Sequence, residues 1–213
     1  MTETSAGPDR LAAVLAAIDE ANRDDPHTIV VDGVERPKEL THAEMMTRWV
    51  RRLDPDCSEA QLIAARAHHL RRWAIPRDSY PPGRAGYLRW RTALKKQHAE
   101  DVGRIMRDAG YGAEEIERVQ AIVTKRGLGT DPEVQVHEDA LCLVFLETQL
   151  DDLIARFDED KVVDILRKTA RKMSPAGLAA AASLRLSPAG AALVERALAE
   201  EGGRDDMPSP PAM

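Results

Sequence analysis

His68 and His69 stand side by side in AARAHHLRRW, between alanines and a basic run. Imidazole exchanges protons near neutral pH and ligates zinc, iron and manganese. His42 lies three, four and seven residues before Met45, Met46 and Trp49, so a helix there turns it toward the core. It reads either as a half-buried histidine satisfied by a carbonyl or as a metal ligand. On one continuous helix His68 and His69 point about 100° apart. Both can then border the core, but only one can face it squarely. His98 shares its face with Leu94, Val102 and Ile105, as an inward group or as a helix edge. Asp139 precedes Cys142, Leu143 and Leu146 at helical spacing, and a carboxylate buried there must be paired, hydrogen-bonded or metal-bound. Glu138 reads as a favourable charge at a helix start or as a proton acceptor. His137 fits the surface as well as a site, and His27 sits in a polar loop. No HExxH is present, so metal ligands must be assembled from separate elements.

The histidines border a basic field. From Arg66 to Lys96 there are nine Lys/Arg and one acid, Asp78. Arg71, Arg72, Arg84, Arg89, Arg91, Lys95 and Lys96 are candidate substrate contacts, because guanidinium and ammonium groups pair with phosphate. A solvated charged face is the plain alternative. Trp73, Tyr80, Tyr87 and Trp90 are interleaved with these cations, as base-stacking rings or as core anchors. A glycine-rich phosphate loop and a nucleophile elbow are both absent. The acids at 151–160 lack the spacing of a calcium loop.

These residues need helices to hold them. Apolar periodicity predicts helices over 10–22, 38–53 and from Asp56 or Ser58 to about Trp73. Further helices are expected over 84–109, 113–125, 133–151 and 159–172, with more starting at Ser174-Pro175 and Ser187-Pro188. Asp32-Gly33 predicts a small hairpin near 28–36, and prolines make 75–87 a loop. Alanine and leucine are abundant and aromatics are 4%, so the expected fold class is all-α. One domain over 10–199 is expected between a flexible 1–9 and a disordered 200–213.

The chain has 213 residues and a net charge of -6, which argues against extended nucleic acid as a partner but leaves room for a local basic pocket. Cys57 and Cys142 form neither a CxxC pair nor a disulfide scaffold. The N-terminal residues lack signal-peptide order and no apolar run is long enough for a membrane span. The expectation is a cytoplasmic protein, with a homodimer allowed.

VDGVERPKELTHAEMMTRWV, AARAHHLRRWAIPRDSYPPGRAGYLRWRTALKKQHAE and EDALCLVFLE resemble a bacterial and fungal family of unknown function over about residues 10–199. More distantly, the order of His42, His68 and Asp139 resembles the helical histidine–aspartate domain superfamily, many of whose members are metal-dependent phosphohydrolases. That resemblance implies one divalent transition metal, manganese, iron or zinc, held by His42, His68 and Asp139. His69 would complete or line the site, and His98 resembles an additional histidine of two-metal members. His69 stands where the superfamily has its paired aspartate, so the bridging carboxylate of a two-metal centre is missing at this position. The reading is a phosphohydrolase acting on a nucleotide or small phosphorylated metabolite, with Glu138 or His98 relaying a proton. The alternative is a non-catalytic binder of such a ligand on the same scaffold.

Overall fold

The computed structural model describes residues 8–31 and 33–202; of the segments expected to be loose, 1–9 and 200–213, residues 1–7 and 203–213 lie outside the described residues, whereas 8–9 and 200–202 are helical. The fold is all-α with one two-stranded hairpin. By Cα proximity it divides into a unit ending at Ala140 and a second beginning at Leu141.

In the first unit α1 (Pro8–Arg23) leads into β1 (Thr28–Val31) and β2 (Val34–Pro37), paired antiparallel with Val31 opposite Val34. Gly33 adopts φ +76°, the left-handed conformation this tight turn requires. Then follow α2 (Lys38–Leu53), α3 (Glu59–Arg66), α4 (Gly83–Asp108), α5 (Ala113–Thr124) and α6 (Pro132–Thr148), of which the residues to Ala140 belong to this unit. Val14 and Ile18 of α1 pack with Ile63, Ala64, Val102, Met106, Val119, Ile122 and Val134 in one apolar core. Met46, Trp49 and Val50 of α2 are also buried, as the stripe through His42 requires.

Ser58 starts α3 with a reciprocal capping box: its hydroxyl accepts from Gln61 N at 3.2 Å while Gln61 Oε1 accepts from Ser58 N at 2.8 Å. The helix expected to run to Trp73 instead stops at Arg66. Turns replace it, and His69 and Arg71 take φ +63° and +51°. Arg71 is clamped there: its N–H donates to Asn22 Oδ1 (3.0 Å) and its carbonyl accepts from Gln97 Nε2 (3.0 Å). Short 3-10 turns at Arg72–Ala74 and Arg77–Ser79 carry the chain to α4.

In the second unit α7 (Leu150–Arg156), α8 (Glu159–Ala170), α9 (Pro175–Ala181) and α10 (Pro188–Gly202) follow. Both Ser-Pro pairs start helices as expected: Ser174 Oγ accepts from Gly177 N and Ser187 Oγ from Gly190 N, each at 3.1 Å. Leu146, Leu150, Val162, Leu166, Leu193 and Ala197 form its core. No helix among the described residues is long and apolar enough to cross a membrane.

Candidate metal centre and phosphate cavity

Among the described residues, one group of three carries ligand atoms all within 4.8 Å of one another: Glu39, His42 and His69. Glu39 and His42 lie one turn apart at the start of α2, and both are buried. The turn after α3 supplies His69. Left-handed backbone at His69 is what brings its ring to the carboxylate, a geometry unavailable to a continued helix.

Glu39 Oε2 lies 3.3 Å from His42 Nδ1 and 3.1 Å from His69 Nδ1. Burial by itself would raise the Glu39 pKa. Interaction with His69 and the hydrogen bonds from both imidazoles outweigh it and hold the carboxyl below the usual carboxylate range. An ionised carboxylate only accepts, so both Nδ1 atoms carry the hydrogen. Arg72 NH1 donates to His69 Nε2 at 2.9 Å, which agrees with that tautomer. His42 Nε2 is left as a buried lone pair with no hydrogen-bond partner. Burial pushes the His69 pKa down to about 4, against the pull of Glu39.

His98 is oriented in the same manner. Its Nδ1–H donates to the Leu70 carbonyl at 2.8 Å, leaving Nε2 buried and unpartnered. Burial pushes its pKa down to about 3. Its ring centroid lies 6.0 Å from that of His69. An acceptor behind one ring nitrogen and a bare lone pair on the other is the arrangement of metal-ligating histidines. Carboxylate plus imidazole suits zinc, iron or manganese, so the residues fit the expected cation.

His68 stacks on His69 with centroids 4.0 Å apart, and its Nδ1 lies 3.2 Å from His137 Nε2. One proton is shared across that contact. The outer nitrogens, His68 Nε2 and His137 Nδ1, are buried without partners. Burial holds His68 well below its ordinary pKa and takes His137 down to about 3. Adjacent histidines therefore do serve one cluster, because they do not share a helix.

The remaining expected residues are distributed differently. Glu138 is buried in an ion pair with Lys125, whose φ is +60°; that pairing engages the charge expected to relay protons. Asp139 is buried and accepts from Gln135 Nε2 at 3.0 Å. Neither it nor His68 belongs to the close group of three. Glu39 was missed by the sequence reading, although its place one turn before His42 puts it on the same face. His137 was left open and is only 1% exposed.

Glu39 and Arg72 also form part of the wall of a cavity of about 1030 Å³, with Lys38, Trp73, Tyr80 and Trp90 among its other lining residues. Arg72 sits over the Trp90 ring at 4.9 Å, and Trp90 Nε1 donates to the Ile75 carbonyl at 2.8 Å. Of the seven expected phosphate contacts only Arg72 lines this cavity. Arg71 acts through its backbone. On α4, Arg84, Arg91 and Lys95 fall on the His98 side of the helix, whereas Arg89 and Lys96 fall opposite. Lys96 pairs with Glu100 at 3.7 Å.

The profile of a domain of unknown function, DUF4202, matches residues 12–194. The chain belongs to the DUF4202 family. No curated protein and no solved structure gives a match. The DUF4202 match covers the helices that bear Glu39, His42 and His98 and the turn that bears His69, so the whole constellation lies within the family region.

Proposed function

We propose that the protein is a metal-dependent phosphohydrolase acting on a nucleotide or small phosphorylated metabolite. The observation that carries this reading is a Glu39–His42–His69 group, buried at Glu39 and His42 and half-buried at His69, whose Glu39 also lines a cavity furnished with cations and aromatic rings. Glu39 and His42 would hold a divalent transition metal, with His69 and His98 beside them. Such an ion supplies a Lewis acid that acidifies water and polarises a phosphoryl oxygen.

The chain's own residues account for the rest. Glu39 fixes both imidazoles in one tautomer. It also supplies a carboxylate where His69 departs from the histidine–aspartate pattern. Arg72 and Lys38 would neutralise phosphoryl charge as it develops. Trp73 would offer ring surface to a base, and Trp90, buried beneath Arg72, backs the wall and restricts water. The His98 Nε2 lone pair stays unprotonated near neutral pH and can accept a hydrogen bond from water or substrate, while Glu138 is engaged by Lys125.

A second reading, a non-catalytic phosphometabolite binder, is favoured by one contact: Arg72 already donates to the His69 Nε2 lone pair. Elemental analysis of chelator-free protein, before and after reconstitution with manganese, iron and zinc, separates the two. About one metal per chain, lost in His42→Ala together with phosphate-ester hydrolysis, is the expected result. Protein that retains no metal under any of these conditions yet binds phosphorylated ligands would establish the binder instead.

A further inference from the structure

Six of the seven cations that the sequence marks for phosphate lie outside the cavity, and the placement of three of them is ordered. At about 100° per residue, Arg84, Tyr87, Arg91 and Lys95 fall within an angular sector of about 80° that also contains His98. They form a ridge on α4 that begins beside the cavity's Pro82 and Gly83 and leads along the helix toward the buried imidazole. From Arg84 to Lys95 the ridge spans about 17 Å. Residues 79–99 contain no acid, and among the described residues Arg84, Arg91 and Lys95 have no ion-pair partner. Arg84 and Arg91 are exposed, and Tyr87 is 42% exposed. Arg91 lies 5.8 Å over the Tyr87 ring, and the Tyr87 and Trp90 rings are 5.9 Å apart. Ridge and cavity are joined through the rings, since Trp90 lies under Arg72 at 4.9 Å on the cavity side and beside Tyr87 on the ridge side.

We infer that this ridge binds the phosphodiester backbone of a short single-stranded oligonucleotide, with one end of the strand in the cavity at Arg72. The inference rests on the reading of that cavity as a phosphate site. A row of cations with an exposed aromatic ring among them matches how single strands are held, by backbone charge and base stacking. A membrane surface fits less well. Tyr87 and Leu88 are the only large apolar side chains exposed on α4, too few for interfacial insertion. The net charge of -6 does not conflict, because the complementary charge is local and the ridge is only a few nucleotides long.

Fluorescence anisotropy with labelled single strands of increasing length tests this on the whole chain. Affinity should rise with length over the first few nucleotides and then level off. The logarithm of the binding constant should fall with the logarithm of salt by about 0.7 per phosphate engaged. Arg84→Gln with Arg91→Gln should make that slope shallower by about 0.7 for each contact removed, and Tyr87→Ala should weaken binding about tenfold. Melting curves should be unchanged, since these side chains are exposed. Equal affinity for a mononucleotide and longer strands, or indifference to all three substitutions, would overturn the inference. So would tighter binding of inorganic polyphosphate or of phosphatidylglycerol vesicles. A metal-free protein that still grips the strand along α4 would defeat only the hydrolase reading. A metal-loaded phosphohydrolase indifferent to strand length would defeat only the ridge.

Discussion

Glu39 Oε2 accepts from two imidazoles, so replacing it changes orientation as well as charge. In Glu39→Gln the amide keeps the volume but loses the negative charge, and an NH2 group replaces either the oxygen that accepts from both imidazoles or the one 3.8 Å from Arg72 Nε. Metal affinity should fall about 10- to 100-fold, as when such orienting partners are lost. The protein should stay folded. Competition against a chelating dye measures the affinity, and an unchanged value would remove Glu39 from the centre. The Lys125–Glu138 pair is a second case, with both side chains at least 89% buried. Lys125→Met strands a buried carboxylate and should cost about 3 kcal/mol. Adding Glu138→Leu removes the stranded charge and should restore most of that loss. Urea titrations of the two single variants and the double variant complete the cycle, and additive losses would show that the pair is not coupled.

At the scale of elements, the loop before α4 is fixed by one small residue. A Cβ at Gly86 would lie 1.9 Å from the Pro81 carbonyl oxygen, so the helix can approach this loop only with glycine there. Arg77 ties the same loop by donating to the Tyr80 and Pro81 carbonyls at 3.0 and 3.2 Å. Gly86→Ala must push the loop away, moving Pro76, Tyr80 and Pro82 on the cavity wall. The expected result is weaker phosphate-ligand binding by tenfold or more and a loss of about 1–3 kcal/mol in stability, read by calorimetry of binding and by denaturation. Wild-type binding in this variant would show that the loop wall does not touch ligand. Most elements were legible before the structure, because apolar stripes, Ser-Pro starts and Asp-Gly are local signals. The end of α3 was not. Ala64 through Leu70 reads as helix, and no glycine marks the left-handed residues at His69 and Arg71. Contacts distant in sequence, from Asn22 and Gln97, hold Arg71 in that conformation, and no local pattern reveals them. The same cause hid the way both histidines enter one cluster. Glu39 was legible in principle from its spacing to His42, whereas His137 sits among polar neighbours that mask its burial.

At the scale of the whole molecule, the buried histidines make folding depend on pH. In the unfolded chain each imidazole takes up a proton near pH 6.5. In the folded, metal-free protein burial lowers His69 to about 4 and His98 and His137 to about 3. Between those limits the unfolded state binds more protons, so stability rises with pH. The contribution is fully present above about pH 6.5 and is lost as pH falls toward 4 and then 3. Each histidine adds up to about 1.4 kcal/mol per pH unit within its window. Glu39 acts with the same sign at lower pH, since its folded carboxyl is held below the ordinary range. Urea unfolding of chelator-treated protein from pH 7.5 to 4.5 should therefore show a loss of stability beginning near pH 6.5. His98→Gln removes one titrating group and should flatten that slope. Bound metal should raise stability at neutral pH and leave the onset near pH 6.5, but carry the loss to lower pH, because a ligated nitrogen cannot take the proton while the unfolded imidazole still does. A profile flat to pH 5 without metal would mean that these imidazoles are already solvated, and the cluster would no longer be a preformed site.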